Sequence, residues 1–141
     1  MFNLMKTYTV KAKEIKRETR VIDADGMVLG KLATQVAEIL MGKDKATYTR
    51  YMDTGDRVVV INAAKVVVTG SKLTQKTYIH HSTYPGGFKE ISLRDLLEKK
   101  PEEVIKKAVR GMIPRGTLGD SMMKKLTVYA ADGNVKVEKE A

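Results

Sequence analysis

Apolar side chains at Leu29, Leu32, Ala33, Val36, Ala37 and Leu40 recur at the spacing that gathers them on one broad helical face, with Lys31, Gln35 and Glu38 mostly on the other. This period predicts an amphipathic helix over Leu29–Met41, stopped by Gly42, which suits the left-handed backbone of a helix cap. Residues 20–24 read as a strand, and Asp25 with Gly26 supplies the turn between the two. Strand, tight turn and helix together begin a βαβ unit. Residues 58–61 are an unbroken apolar run, the pattern of a central strand covered on both faces in a parallel sheet. Residues 66–68 are too few to fix a period and fit either a strand or one turn of helix. Residues 77–80 read as a further short strand.

In the second half, Ser92 stands three positions before Asp95 and just ahead of Leu93, Leu96 and Leu97. This is close to a capping box and predicts a helix to about Lys99. Pro101 suits the start of another helix, with Glu102 and Glu103 at its positive end and Lys106, Lys107 and Arg110 toward its negative end. Gly111 is placed to terminate it. A short helix over residues 118–125 and a last strand over 126–129 complete the pattern. The expected organisation is a basic arm (1–19), one α/β domain (20–131) and a polar tail (132–141), without internal repeats. Within the arm, residues 7–10 fit either an edge strand or an extended segment ordered by a partner, and Met1 and Met5 are alternative start residues.

Charge narrows the class of partner. The 141 residues carry 26 lysines and arginines against 17 acids, a formal net charge of +9, which favours polyanions such as nucleic acid. The excess is uneven. The first twenty residues hold six basic and two acidic side chains, residues 43–89 eight and three, and residues 104–125 six and one. Residues 90–103 reverse the sign with three basic and five acidic. The positive charge therefore concentrates in the arm and in loop-rich stretches that can follow a folded RNA backbone. There is no cysteine, which removes disulfides, cysteine-ligated zinc and thiol nucleophiles. No apolar run approaches a bilayer span and the first twenty residues lack the apolar stretch of a secretory signal, so the cytoplasm is the expected location.

Several fragments imitate catalytic motifs. Asp53, Thr54 and Gly55 spell the short signature of aspartic proteases, but that chemistry needs two facing carboxylates in a largely β framework. Gly26, Gly30 and Lys31 are one residue short of a phosphate-binding loop, and Leu32 replaces the hydroxyl residue that would hold magnesium. Gly26 is better explained by the turn, and Gly30 by close helix packing. His80 and His81 are adjacent, so on a strand they point to opposite faces and cannot hold one metal together.

Two segments resist a purely structural explanation. The run through Gly42, Lys43, Lys45, Tyr48, Thr49, Arg50 and Tyr51 interleaves cations, hydroxyls and rings, a combination that binds phosphates and stacks unpaired bases. A core position for one of the tyrosines is an equal alternative. From Arg110 to Gly119, three glycines and a proline fix an irregular path between two arginines able to fork onto phosphates.

Read in order, these segments make the chain resemble the bacterial family of large-subunit ribosomal protein thirteen, over nearly its whole length. The resemblance rests on Val21 Ile22 Asp23 Ala24 with Gly26, on Leu29 Gly30 Lys31 Leu32 Ala33, and on Gly42 Lys43 with Lys45. It continues through Tyr48 Thr49, Asp53 Thr54 Gly55 Asp56, Asn62 Ala63 with Lys65, Thr69 Gly70 and Pro85 Gly86 Gly87. Its most specific part is Gly111 Met112 Ile113 Pro114, then Leu118 Gly119, Lys124 Lys125 Leu126 and Val128 Tyr129 Ala130. The resemblance implies a three-layer α/β/α fold around a four-stranded, mainly parallel sheet, and a role in binding large-subunit ribosomal RNA early in assembly. Three departures stand out. Thr19 occupies a position where the family often has tryptophan, Asp120 one where it usually has arginine, and residues 132–141 replace its histidine-containing C-terminal segment. Asp120 is expected to weaken a phosphate contact locally.

The resulting expectation is a structural RNA-binding protein of the large ribosomal subunit, with no reaction, cofactor, metal, membrane or small-molecule substrate. Its partners are ribosomal RNA and neighbouring ribosomal proteins. The alternative is an RNA-binding assembly or regulatory factor that does not reside in the ribosome. Residue chemistry nominates Lys43, Lys45, Tyr48, Arg50, Lys72, Lys76, His81, Arg110, Arg115, Lys124 and Lys125 for RNA contact.

Overall fold

A computed structural model describes residues 9–131 of the protein. In chain order its elements are β1 (Thr19–Asp23), α1 (Leu29–Met41), β2 (Arg57–Ile61), α2 (Lys72–Gln75), β3 (Thr77–His81), β4 (Phe88–Ser92), α3 (Leu93–Lys99), α4 (Pro101–Met112), α5 (Thr117–Met123) and β5 (Leu126–Val128). Two 3₁₀ turns, Ala12–Glu14 and Ala63–Lys65, complete the set.

The α/β class is as expected. β1, β2 and β5 form a parallel sheet in the order β1-β2-β5, and β3 and β4 form a separate antiparallel hairpin. Register places Ile22, Val60 and Val128 side by side on one sheet face. That face is buried against Leu32, Val36 and Leu40 of α1 and Val104, Ile105 and Val109 of α4. Removing this apolar area from water is the main stabilising contribution to the fold.

The other sheet face is different. Val21 is 49% exposed, Val59 and Ile61 are only half-buried and Thr127 is exposed. Among the described residues, then, the helices cover one face of a three-stranded sheet, whereas the apolar run suggested a strand covered twice and the family resemblance implied a four-stranded, three-layer arrangement. The apolar run over residues 58–61 misleads because β-branched residues also suit a partly exposed pleated face. The fourth parallel pairing shrinks to one bridge between Val28 and Val67, in which Leu29 N–H donates to the Val67 carbonyl at 3.0 Å. Asn62, at φ 59°, and the turn at Ala63–Lys65 bend the chain away from β2 before residues 66–68 can run alongside β1.

Helix ends follow local chemistry. Ser92 Oγ accepts the Asp95 N–H at 3.1 Å, so α3 starts where its cap predicts. α1 ends at Gly42, whose φ of 75° allows the Lys43 N–H to reach back to the Glu38 carbonyl at 3.0 Å. Two expectations about glycine fail. α4 runs past Gly111 to Met112 before Ile113 and Pro114 turn the chain away, and a Cβ on Gly30 would meet open space, so Gly30 permits no close packing. β4 was missed because Phe88, Lys89 and Glu90 are exposed and show no apolar alternation.

The arm is more integrated than its composition suggests. Val10 is buried, and neither Thr9 nor Val10 is part of a strand. Thr7, Tyr8 and the tail from residue 132 onward lie outside the described residues.

Candidate nucleic-acid interface

The fragment Asp53 to Asp56 is a structural clasp at the C-terminal end of α1. Gly55 lies so close to this end that a Cβ would fall 1.8 Å from the Leu40 carbonyl oxygen. The Asp56 N–H donates to the Ile39 carbonyl at 3.2 Å. Lys125 sends its ammonium into the same corner and donates to the Leu40 carbonyl (3.3 Å), the Gly55 carbonyl (2.9 Å) and Asp53 Oδ1 (2.5 Å). A cation here satisfies helix-end carbonyls that have no partner within the helix.

A second ammonium mirrors the first. Lys45 Nζ donates to the Lys16 carbonyl (2.9 Å), the Thr54 carbonyl (3.2 Å) and the Asp56 carboxylate. Asp56, fully buried, also accepts the Glu18 N–H at 3.0 Å and faces Arg20 Nε at 3.2 Å. Arg20 in turn pairs with Asp44 at 2.7 Å. Burial pushes the Asp56 carboxyl up, but the Lys45 and Glu18 hydrogen bonds and the charges of Lys45 and Arg20 outweigh it and hold the group below its ordinary value. Burial pulls the Lys125 ammonium down against the opposing effect of Asp53.

An ammonium has three protons to donate. Lys45 and Lys125, both partly exposed, each use three acceptors inside the protein, so these two nominated residues serve its framework. The sequence could not reveal this, because the acceptors are mostly carbonyls brought together by the fold.

The other nominated residues remain accessible. Lys43 and Arg50 are exposed beside Tyr48, and Tyr51 is 63% exposed, so neither tyrosine takes the core position considered for it. The Lys125–Asp53 pair brings this segment to the junction of α5 and β5, where Lys124 is exposed. On the turn between α4 and α5, Arg115 is exposed and no described side chain pairs with it. Gly116, at φ 109°, supplies a backbone state that L residues avoid. Arg110, by contrast, is engaged by Asp120 at 2.5 Å. Asp120, the residue expected to weaken a phosphate contact, is the partner that engages this guanidinium.

Lys72, Lys76 and His81 belong to a separate region, formed by α2 and the β3–β4 hairpin. Lys76 and Lys107 hold their ammonium groups 5.3 and 4.7 Å from the centroid of the Tyr78 ring, and burial raises the phenol's pKa. Sequence reasoning passed over Tyr78, Phe88, Lys89 and Lys107. The signal for the last two was only their charge. Among the described residues, no group of three or more histidine, aspartate or glutamate side chains is placed to hold a metal, and no helix is long and apolar enough to cross a membrane.

Fold and surface together define a small basic α/β protein in which ion pairs order the framework while exposed cations and rings stand on loops and a hairpin. Residues 17–134 match the family model described as ribosomal protein L13, and the chain belongs to that family. Relatives named large ribosomal subunit protein uL13 include one from Maridesulfovibrio salexigens, 60% identical over 89% of each chain. One from Pelobacter propionicus is 54% identical over 92% of each chain. One from Clostridium tetani is 57% identical over 89% of this chain and 87% of the relative. The family is structural and non-enzymatic.

Proposed function

We propose that this chain is a structural constituent of the large ribosomal subunit that binds large-subunit ribosomal RNA and supports early subunit assembly. One observation carries the reading beyond family membership. The three acids between residues 43 and 89 are all engaged internally, Asp44 by Arg20, Asp53 by Lys125 and Asp56 by Lys45 and Arg20. Lys43, Arg50, Lys72 and Lys76 are exposed in the same stretch, and none of its three acids is left over to neutralise them. Such a surface attracts phosphates and releases their counterions.

RNA contact is assigned to Lys43, Tyr48, Arg50, Lys72, Lys76, His81, Arg115 and Lys124, with Arg110 available once it leaves Asp120. Lys45 and Lys125 act indirectly, by fixing the loops that carry the others. Ribosomal RNA and neighbouring ribosomal proteins are the partners, and the ribosome is the location. Sedimenting tagged protein with large subunits through a high-salt wash tests residence. Stoichiometric retention is expected. Quantitative loss in the wash would favour a passing assembly factor.

A further inference from the structure

The β3–β4 hairpin has two chemically different faces. Register pairs Tyr78 with Ile91 and His80 with Lys89 on one, and Ile79 with Glu90 and His81 with Phe88 on the other. Tyr78 and Ile91 pack against the hydrophobic core, so the second face points away from it. There Phe88 is 55% exposed directly across from exposed His81, and Ile79, their diagonal neighbour, is 63% exposed. Tyr84 in the connecting loop is 76% exposed. Clustered apolar surface of this kind marks a contact site.

The chemistry around this platform identifies the contact. A cleft of about 650 Å³ is lined by Ile79 and Phe88 together with His80, Lys89, Lys99 and Lys107. Lys76 precedes β3. Glu90 and Asp95 offset only part of this charge. An apolar protein surface would cover the rings and leave the lysines facing nothing. An unpaired stretch of RNA answers both features, because every base has a π face and every linkage a phosphate.

We infer that the β3–β4 hairpin is a stacking platform for unpaired RNA bases, with Phe88 and His81 as its rings and the surrounding lysines as its phosphate contacts. This rests on the RNA-binding reading above. It adds Phe88 as the residue that separates single-stranded from duplex RNA.

The test compares the full chain with Phe88→Ala, Phe88→Leu and Phe88→Trp, measuring affinity for an unstructured oligouridine and for an RNA duplex of equal length. Phe88 is exposed enough for each variant to fold, and melting temperature verifies it. Loss of one stacked base is expected to weaken oligouridine binding roughly 5- to 150-fold in Phe88→Ala and Phe88→Leu. Phe88→Trp should retain it, and all three should bind duplex as the parent does. Parental oligouridine affinity in Phe88→Leu would overturn the inference, since apolar contact alone would then suffice. So would an equal loss for both RNAs. If the parent binds neither RNA, the platform fails, whereas the RNA-binding reading fails only if large-subunit ribosomal RNA is not bound either.

Discussion

The Lys125 ammonium lies 2.5 Å from Asp53 Oδ1, tying the residue that leads into the last strand to a loop just before the second. With Lys45 and Asp56 it forms a double clasp around the C-terminal end of α1. The charges so engaged are partly neutralised within the protein. Their effect is to hold the segment bearing Lys43, Tyr48 and Arg50 in one place, so that the proposed RNA contact need not also order it.

Asp56→Asn is expected to destabilise the protein by about 2–4 kcal/mol, measured by urea denaturation at neutral pH, because it leaves Lys45 and Arg20 without their buried counter-charge. The sign with pH follows from the depressed carboxyl. Its folded pKa lies below the ordinary 3.8, so its stabilisation is fully present above that value. It is lost as pH falls through the lower folded value. The parent should therefore lose more stability on acidification than Asp56→Asn does.

Gly55→Ala should cost about 1–3 kcal/mol or more, since its Cβ would have to displace backbone at Leu40. Gly30→Ala is the control. Its site is open and helical, and the change should stabilise by about 0.5–1 kcal/mol. Thermal melts of the two variants should move in opposite directions.

How far the sequence revealed these features depends on the range of the interaction. α1 was legible to the residue because an apolar face repeated along a 13-residue helix and a glycine cap are local signals. The Ser92 cap and the Pro101 helix start were legible for the same reason. β4 was hidden because both its faces carry polar side chains. The covering of β2 was misjudged because burial on a sheet's second face depends on where helices dock, and no local pattern records that α4 packs beside α1. At the candidate site, charge and exposure were readable for Arg50 and Arg115. The inward turn of Lys45 and Lys125 was not, since their acceptors come from segments up to 85 residues away. Composition marks residues 1–19 as a basic arm, yet Val10 is buried and the Lys16 carbonyl accepts from Lys45.

Asp120→Asn should release Arg110 for phosphate contact. Affinity for large-subunit ribosomal RNA is expected to rise, and the slope of log affinity against log salt to steepen by up to about 1. The exposed pair contributes about 0–1 kcal/mol to folding, so the melting temperature should scarcely move. Unchanged affinity and slope would show that Arg110 lies outside the interface.

Arg115 separates charge from geometry. Arg115→Lys keeps the cation but loses the two-pronged grip on phosphate oxygens, and should retain part of the RNA affinity. Arg115→Ala should lose about 1–3 kcal/mol of binding. Neither should change thermal stability, because no described side chain pairs with Arg115. A fall in stability matched by the fall in affinity would instead make it a capping residue of the α4 end.

Chemical probing of large-subunit ribosomal RNA with and without the protein tests the central claim most directly. Stoichiometric protein is expected to protect a defined set of nucleotides. The protections should persist in excess unrelated RNA and fade as salt rises. Protection that is absent, or that unrelated RNA abolishes, would contradict a specific ribosomal RNA-binding role.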